Sequence, residues 1–554
     1  MLALRGREDH DDDDNQHDDH NASEGADDGC PEEGDGTDAD DAIDVLQRER
    51  HAPAFLGHVN NETIAHPTSY LANRPIATLM RQYDLIVIGS GSAMNVVDPM
   101  IQRNPKIRVA VVDKDEPGGI CLTRGCIPSK IILYPAELVR TIEEAGALGL
   151  EVELKRADFA KVMGRMRRLI DADIESIRRG LSSSENIDYY HAPAEFTAPY
   201  TLKVLGETIT SKMIFLCTGS QTTVPPIKGL EAVGYITSDS AFHMTRLPES
   251  IAIVGGGYIA AEFGHFFSAM GSKVTVIGRN PQFLPDEEPE VSALAKAELG
   301  KHMRIVTRHE VRAAEAAGRT KKLHAFDKET GKETVVEAEE IMVAAGRGPT
   351  TGILHAERAG IKTTKEGWIE VDDYLQTSQP GVWAFGDALG KHMFKHVANY
   401  ESIVVYYNAV LERQVKADYH AVPNAVFTYP EIASVGMRES EALKEAGEGN
   451  VLIGHYKYED TAKGEAINAK GYFVKVIVER DSLRILGAHI IGPNASILIQ
   501  EIVNLMYTER QDARPLMDSM HIHPSMSEVV DRAFSSLMEP AEYHHTVEHE
   551  HHRA

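Results

Sequence analysis

Apolar and polar positions divide the chain into segments of distinct character. From Tyr83 an unbroken apolar run, Asp84-Leu-Ile-Val-Ile-Gly89, stops at a glycine turn. Such a run predicts a strand buried on both faces, as in a parallel sheet covered by helices. The pattern returns 166 positions later, where Ile251-Ala-Ile-Val-Gly255 ends in a second glycine turn and opens a helix. Two strand–turn–helix units predict two dinucleotide-binding domains in one chain. After about residue 420 the glycine turns give way to shorter segments such as Tyr472-Phe-Val-Lys-Val-Ile-Val478. These predict an antiparallel sheet with helices, and hence a third domain. The two ends carry no such pattern. Residues 1–80, with runs such as Asp11-Asp12-Asp13-Asp14, hold too little apolar surface to offset the entropy of ordering and are expected to be disordered. The last dozen residues, with His544, His545, His549, His551 and His552, look like a second solvated tail.

Composition narrows the functional classes. The chain has 554 residues, 42% of them hydrophobic, enough for about three domains with their own cores. Its net charge of −27 disfavours nucleic acid and anionic membranes, which offer no favourable electrostatic term to a polyanion. Residues 1–80 hold 20 acids and 5 bases, so more than half of that charge lies in the acidic segment. The moderately acidic remainder suits a salt-rich cytoplasm, where self-repulsion is screened. Four cysteines, Cys30, Cys121, Cys126 and Cys217, are too few for a disulfide framework and suggest a reducing compartment. No secretory signal pattern is read near Met1, and no apolar run approaches the roughly 18 residues of a membrane span. A cytoplasmic protein is expected.

Candidate chemistry begins at the glycine turns. In Gly89-Ser-Gly91-Ser-Ala-Met94, Gly89 and Gly91 would let a pyrophosphate approach the backbone at a helix N-terminus, while Asp113, closing the next strand, would accept from ribose hydroxyls. Met94 stands where the pattern has its third glycine. The second turn, Gly255-Gly-Gly257-Tyr-Ile-Ala260, has the permitted alanine at that position. The strand after it ends in Gly278-Arg279-Asn280, with no acid for the 2′-hydroxyl of NAD. Arg279 would instead neutralise a 2′-phosphate, which favours NADPH over NADH. An Arg279 that is merely exposed is the plain alternative. Between the two turns lies Gly118-Gly-Ile-Cys121-Leu-Thr-Arg-Gly-Cys126-Ile-Pro-Ser-Lys130. Two cysteines with four residues between them can close a small ring, and in a reducing compartment such a pair is more often redox-active or metal-binding than structural. Zinc would require two further ligands at short spacing, and none lies nearby in sequence. Cys30 and Cys217 are expected to be bystanders.

These motifs, with Cys217-Thr-Gly-Ser220, Ala345-Gly-Arg-Gly-Pro349, Val382-Trp-Ala-Phe-Gly-Asp387 and His523-Pro-Ser-Met-Ser-Glu528, occur in the order found in the class I flavoprotein disulfide reductases. Over about residues 82–535 the chain resembles that family, which includes dihydrolipoamide dehydrogenase, glutathione reductase, mycothione reductase and mercuric reductase. The resemblance implies an α/β fold: two Rossmann-like domains, for FAD and NAD(P)H, plus a C-terminal α+β dimerisation domain. It implies FAD binding by residues 81–232 and 349–419, NAD(P)H binding by 233–348, and dimerisation through 420–540, with a His-rich tail at 541–554.

By similarity, Cys126 is the flavin-proximal thiol and Cys121 the thiol that attacks the substrate disulfide. His523, oriented by Glu528, would be their acid–base partner, contributed across a homodimer. Lys130, paired with Glu262, would sit near the flavin, and Tyr258 would cover it until nicotinamide arrives. Thr218, Gly219 and Asp387 are expected to contact FAD, and Gly255, Gly257, Tyr258, Ala260, Arg279 and Gly346 NAD(P)H. The expected substrate is a low-molecular-weight disulfide of the mycothione or bis-γ-glutamylcystine type, with NAD-dependent dihydrolipoamide oxidation as the alternative. Mercuric reductase is disfavoured because no cysteine follows Cys217. Metal buffering by the terminal histidines is a further reading.

Overall fold

The structure, a computed structural model, describes residues 80–551, so the acidic segment 1–79 and Cys30 lie outside the described residues. Folded chain begins slightly before the expected Tyr83: Met80–Gln82 pairs in parallel with Glu207–Thr210 at the edge of a small four-stranded sheet.

The chain first lays down β1 (Leu85–Ile88), helix α1 (Met94–Arg103), β2 (Val109–Asp113), and the helices α2 (Gly119–Arg124) and α3 (Cys126–Glu144). It adds β3 (Ile187–His191) and β4 (Ile214–Leu216), then leaves for a second unit. There β5 (Ile236–Thr237), β6 (Ser250–Val254), helix α4 (Tyr258–Met270), β7 (Lys273–Ile277), β8 (Arg304–Val306) and β9 (Glu340–Val343) form a five-stranded parallel sheet of order β5-β9-β6-β7-β8. The return strand β10 (Val382–Ala384) completes the first parallel sheet, ordered β10-β4-β1-β2-β3. Leu85–Ile88 and Ile251–Val254 of the two central strands are buried throughout, as an uninterrupted apolar run requires. In each sheet the strand order reverses beside the central strand, so a crevice opens at the carboxyl end, where the two glycine turns lie.

Helix α5 (Lys395–Val405) leads to the third region. Strands β11 (Pro423–Val426), β12 (Ile432–Gly436), β13 (Val451–Lys457), β14 (Phe473–Glu479) and β15 (Ile485–Ile491) precede helices α6 (Ala495–Met506) and α7 (Glu528–Ser535) and strand β16 (Leu537–Met538). They form a six-stranded antiparallel sheet of order β11-β12-β15-β14-β13-β16. The α/β fold with two parallel sheets and a C-terminal α+β unit is thus as expected.

The C-terminal segment differs from expectation. Instead of a solvated tail, Pro540–His551 is a helix, α8. Tyr543 is buried, its hydroxyl donates to Glu290 Oε1 at 3.2 Å, and its ring lies 4.9 Å from the Lys475 ammonium. His544 Nε2 meets Glu439 Oε1 at 2.6 Å. One aromatic side chain in a run of His and Glu gives almost no periodic signal, yet it docks the helix on the sheet.

Beneath it lies a buried charge cluster. Lys475 is fully buried, and its Nζ sits 3.1, 3.1 and 2.7 Å from Glu288, Glu290 and Glu439. Burial alone would depress this lysine, but the three carboxylates together hold it above its ordinary value. The cluster joins the second unit to the third, because Glu288 and Glu290 come from the start of helix Pro289–Gly300 and Lys475 from β14. Ligand atoms of Glu290, Glu439 and His544 lie within 4.8 Å of one another, with the Lys475 ammonium bonded to both carboxylates.

Candidate active site

The redox motif is placed by close backbone packing. Gly119 has φ +72°, and a Cβ there would fall 2.7 Å from Gly91 Cα, so the loop carrying the cysteines rests directly on the first glycine turn. A side chain on Gly125 would strike the Ile120 carbonyl oxygen at 2.8 Å and Cys121 Cα at 3.1 Å. Glycine therefore lets α2 end beside Cys121 while α3 begins at Cys126. The two free thiols are hydrogen-bonded to each other. That bond, from Cys126, is the main cause drawing Cys121 down to about 7; burial opposes it and the Lys395 ammonium assists. The same contact and burial push Cys126 up. The pair thus favours a single thiolate near neutrality, as a nucleophile requires.

Helix α3 buries Ile132, Leu133, Ala136 and Val139 along one stripe. Phe263, Phe266 and Phe267 of α4 belong to the same core, so the cysteine helix and the helix of the second glycine turn pack together. This packing brings Lys130 to Glu262, with Nζ at 2.8 and 2.9 Å from the two carboxylate oxygens. Glu262 is buried and also accepts from the Phe427 backbone N–H at 3.1 Å, while Lys130 lies 4.4 Å from the Phe427 ring centroid.

These groups face a cavity of about 640 Å³. Its wall runs from Gly89, Gly91 and Asp113 past Cys121, Cys126 and Lys130 to Tyr258 and Glu262. Thr218, Gly219 and Asp387 close the far side. Asp113 does more than the sequence suggested: its Oδ2 accepts from Ser90 N at 2.8 Å and Ser90 Oγ at 2.6 Å, and its Oδ1 from Asp115 N at 3.0 Å. A carboxylate has about four acceptor positions, so one remains for a ribose hydroxyl. Asp387 is held by Ser220 Oγ at 2.5 Å, and Arg347 Nε donates to that same Ser220 oxygen at 2.6 Å. Thr218 lines the cavity, and its buried Oγ1 has no hydrogen-bond partner among the described residues. A cavity lined by a glycine turn, a helix N-terminus and a dithiol fits a flavin dinucleotide.

Cys217 follows β4 and also lines the cavity, but burial pushes its thiol well up and keeps it protonated. Tyr258, first residue of α4, is 36% exposed and lies 6.4 Å, ring to ring, from Phe394.

The second turn stands apart from the cavity lining. Gly255 and Gly257 connect β6 to α4, Ala260 is fully buried, and Gly346 follows β9. Arg279 is exposed directly after Gly278, and a Cβ on Gly256 would lie 3.2 Å from Gly278 Cα, so the arginine borders the turn. Sequence spacing missed Arg308, whose N–H donates to the Asn280 carbonyl at 2.8 Å; its guanidinium is engaged by Glu329.

His523 and Glu528 form the expected pair, with Nδ1 and Oε1 2.8 Å apart. The histidine bond, aided by Ser525 N–H, holds Glu528 below the usual carboxylate range. The His523 side chain is 70% exposed and does not line the cavity of its own chain. Arg347 and Lys395 are charged cavity residues that sequence reasoning did not select. Arg347 lay inside a quoted motif, whereas nothing local marked Lys395.

Comparison with known proteins agrees with this geometry. Residues 83–409 match the model of the pyridine nucleotide-disulphide oxidoreductases, and residues 422–534 match the dimerisation domain of the same group. Mycothione reductase of Mycobacterium tuberculosis (strain ATCC 25618 / H37Rv) is 34% identical over 475 residues, spanning 83% of this chain and 100% of the relative. Dihydrolipoyl dehydrogenase of Synechocystis sp. is 33% identical over 475 residues, spanning 82% and 98%. The solved structure of the HOCl-induced flavoprotein disulfide reductase RclA from Escherichia coli superposes with a TM-score of 0.72 at 27% identity, over 82% of this chain and 99% of that one. Among the described residues no helix is long and apolar enough to cross a membrane. With two dinucleotide-type crevices, a dithiol between them and a dimerisation domain behind, this chain belongs to the pyridine nucleotide-disulphide oxidoreductase family.

Proposed function

We propose that the protein is an NADPH-dependent reductase of a low-molecular-weight thiol disulfide, of the mycothione or bis-γ-glutamylcystine type. The observation that carries this reading is the Cys121–Cys126 dithiol on a cavity shaped for a flavin dinucleotide, with an exposed Arg279 bordering the second glycine turn. Residues 81–232 and 349–419 hold FAD, 233–348 hold the nicotinamide dinucleotide, and 420–540 build the dimer. Bound there, FAD supplies the centre that accepts hydride and delivers two electrons to the cysteine pair. Gly89, Gly91, Asp113, Thr218, Gly219 and Asp387 position it.

Lys130 is held by Glu262 with its charge turned to the cavity, and Tyr258 screens the nicotinamide side from water. On the thiol side, Cys121 attacks one sulfur of the substrate disulfide; a mixed disulfide forms and the other substrate sulfur leaves as a thiolate. The partner subunit's His523, oriented by Glu528, protonates that leaving group. Cys126 then attacks Cys121, releasing the second substrate thiol and re-forming the intrachain disulfide. The exposure of His523, together with Met520 and Ile522 at 100% and 78% exposure beside it, suits a loop that is completed by a second copy.

The second reading is NAD-dependent dihydrolipoamide oxidation, supported by the His521-Ile-His523-Pro-Ser-Met-Ser-Glu528 ending. Steady-state turnover of FAD-loaded protein in high salt decides between them, with NADPH and NADH each tested against bis-γ-glutamylcystine, mycothione, glutathione disulfide and lipoamide. The proposal expects NADPH oxidation with one of the first two disulfides. NADH-linked lipoamide turnover would overturn it.

A further inference from the structure

Helix α5 opens on the flavin cavity with a lysine, Lys395. A cation in the first turn opposes the helix macrodipole, so its placement there needs a compensating anion. The protein supplies none in contact: among the described residues Lys395 Nζ donates to the neutral Ser92 hydroxyl, at 2.9 Å, forms no ion pair, and feels the Asp387 carboxylate only at longer range. Ser92 in turn donates to Asn399 Oδ1 at 3.0 Å, and Asn95 Nδ2 donates to the same oxygen at 3.1 Å. The ammonium is therefore braced between the N-terminal turns of α1 and α5, facing a space lined by both redox cysteines.

The other charged and titratable groups facing the dithiol are already matched or neutral. Lys130 from α3 is neutralised by Glu262 from α4, and Tyr258 on α4 is raised by burial. Asp387 is held by Ser220, within 3.9 Å of Arg347. Cys217 stays protonated, and burial lowers His396, which bonds the Pro423 carbonyl. Arg124, between the cysteines, pairs with Asp115. Lys395 is the unmatched cation on this surface among the described residues, and its field reaches Cys121 and Cys126.

We propose that Lys395 is a positioning residue for the redox chemistry: its braced ammonium stabilises the negative charge that appears on the Cys121–Cys126 pair when the disulfide opens. This rests on the disulfide reductase reading above. Two electrons from the reduced nicotinamide, passed on by the flavin, break the S–S bond; uptake of one proton leaves one thiol and one thiolate sharing it. That monoanion is the state Lys395 favours, keeping Cys121 nucleophilic at neutral pH.

The test compares wild type, Lys395→Gln and Lys395→Arg as full-length protein, with and without FAD. After reduction with dithiothreitol and its removal, the rate of Cys121 alkylation by iodoacetamide is followed against pH by peptide mass spectrometry. Expected for Lys395→Gln is an upward move of the half-point by about one pH unit, which means about tenfold less thiolate at neutral pH. The limiting rate at high pH should be unchanged, and Lys395→Arg should keep the wild-type profile. A Gln variant with the wild-type half-point, or an Arg variant shifted like Gln, would overturn the proposal. If Lys395→Gln does not retain FAD, the FAD-free profiles decide, since the charge acts on the thiols directly. A wild-type Cys121 that resists alkylation throughout would instead defeat the disulfide reductase reading.

Discussion

Lys395 and Lys475 are both withdrawn from bulk water, yet their surroundings are opposite. Lys475, at the seam between the second unit and the antiparallel sheet, is ringed by three carboxylates at 2.7–3.1 Å and sits above its ordinary pKa despite burial. Lys395, on the flavin cavity, has one neutral hydroxyl and is depressed by burial, with the cysteines and Asp387 only partly offsetting it. A buried charge satisfied by the protein itself serves the fold. One left unsatisfied costs stability unless something else completes it, and at a cavity the missing partner is the ligand or the anion made during turnover. Lys130 stands between the two cases, paired with one carboxylate yet open to the cavity.

The largest effect is expected at the redox pair. Cys121→Ser should lower disulfide turnover by at least about a thousandfold while NADPH still reduces the flavin, as checked by stopped-flow absorbance; removing a nucleophile costs on that scale. Full disulfide activity in this variant would show that the cavity dithiol is not the exit for electrons. Next in size is Lys475→Met, which strands three carboxylates and should cost about 3–5 kcal/mol in urea unfolding, whereas Lys395→Gln should cost less than about 1 kcal/mol. Equal losses would erase the distinction between the two lysines.

The charge cluster also carries more acid than it can neutralise. Glu287, buried beside Glu288, has one oxygen without a partner, and burial pushes its pKa from 4.5 up to about 7. A raised folded-state value means that its contribution to stability is full below about pH 4.5 and is lost as pH rises through about 7. Glu287→Gln should therefore stabilise the protein at pH 8 by about 1–3 kcal/mol and have little effect at pH 4.5, read from unfolding curves at the two pH values. A loss of stability at pH 8 would argue that Glu287 is ionised and paired. The smallest expected effect is at the second glycine turn. Arg279→Ser should reduce the preference for NADPH over NADH about tenfold in kcat/KM, the scale of one charge-assisted hydrogen bond. An unchanged ratio would leave Arg279 as ordinary surface.

What could be read from sequence was local. The runs ending at Gly89 and Gly255, and the spacing of Cys121 and Cys126, are short-range patterns that elementary sterics translate into strands, turns and a dithiol. Lys130 and Glu262 sit 132 positions apart, and only the family resemblance paired them before the packing of α3 on α4 brought them together. Lys475 was hidden for a physical reason: within Tyr472-Phe-Val-Lys-Val-Ile-Val478 it occupies an alternation position that would ordinarily face solvent, and its counter-charges come from elements 36 to 187 residues away. Lys395, Arg308 and the docking of α8 through Tyr543 were likewise set by tertiary contacts.

On the proposed mechanism, electrons from the nicotinamide emerge on Cys121 and Cys126. The most direct measurement incubates oxidised, FAD-loaded protein with NADPH without air, quenches it with iodoacetamide and quantifies each cysteine by mass spectrometry. Cys121 and Cys126 are expected to become alkylated only after NADPH is added, while Cys217 stays unlabelled. Oxidation of NADPH with no new thiol at either position would contradict it.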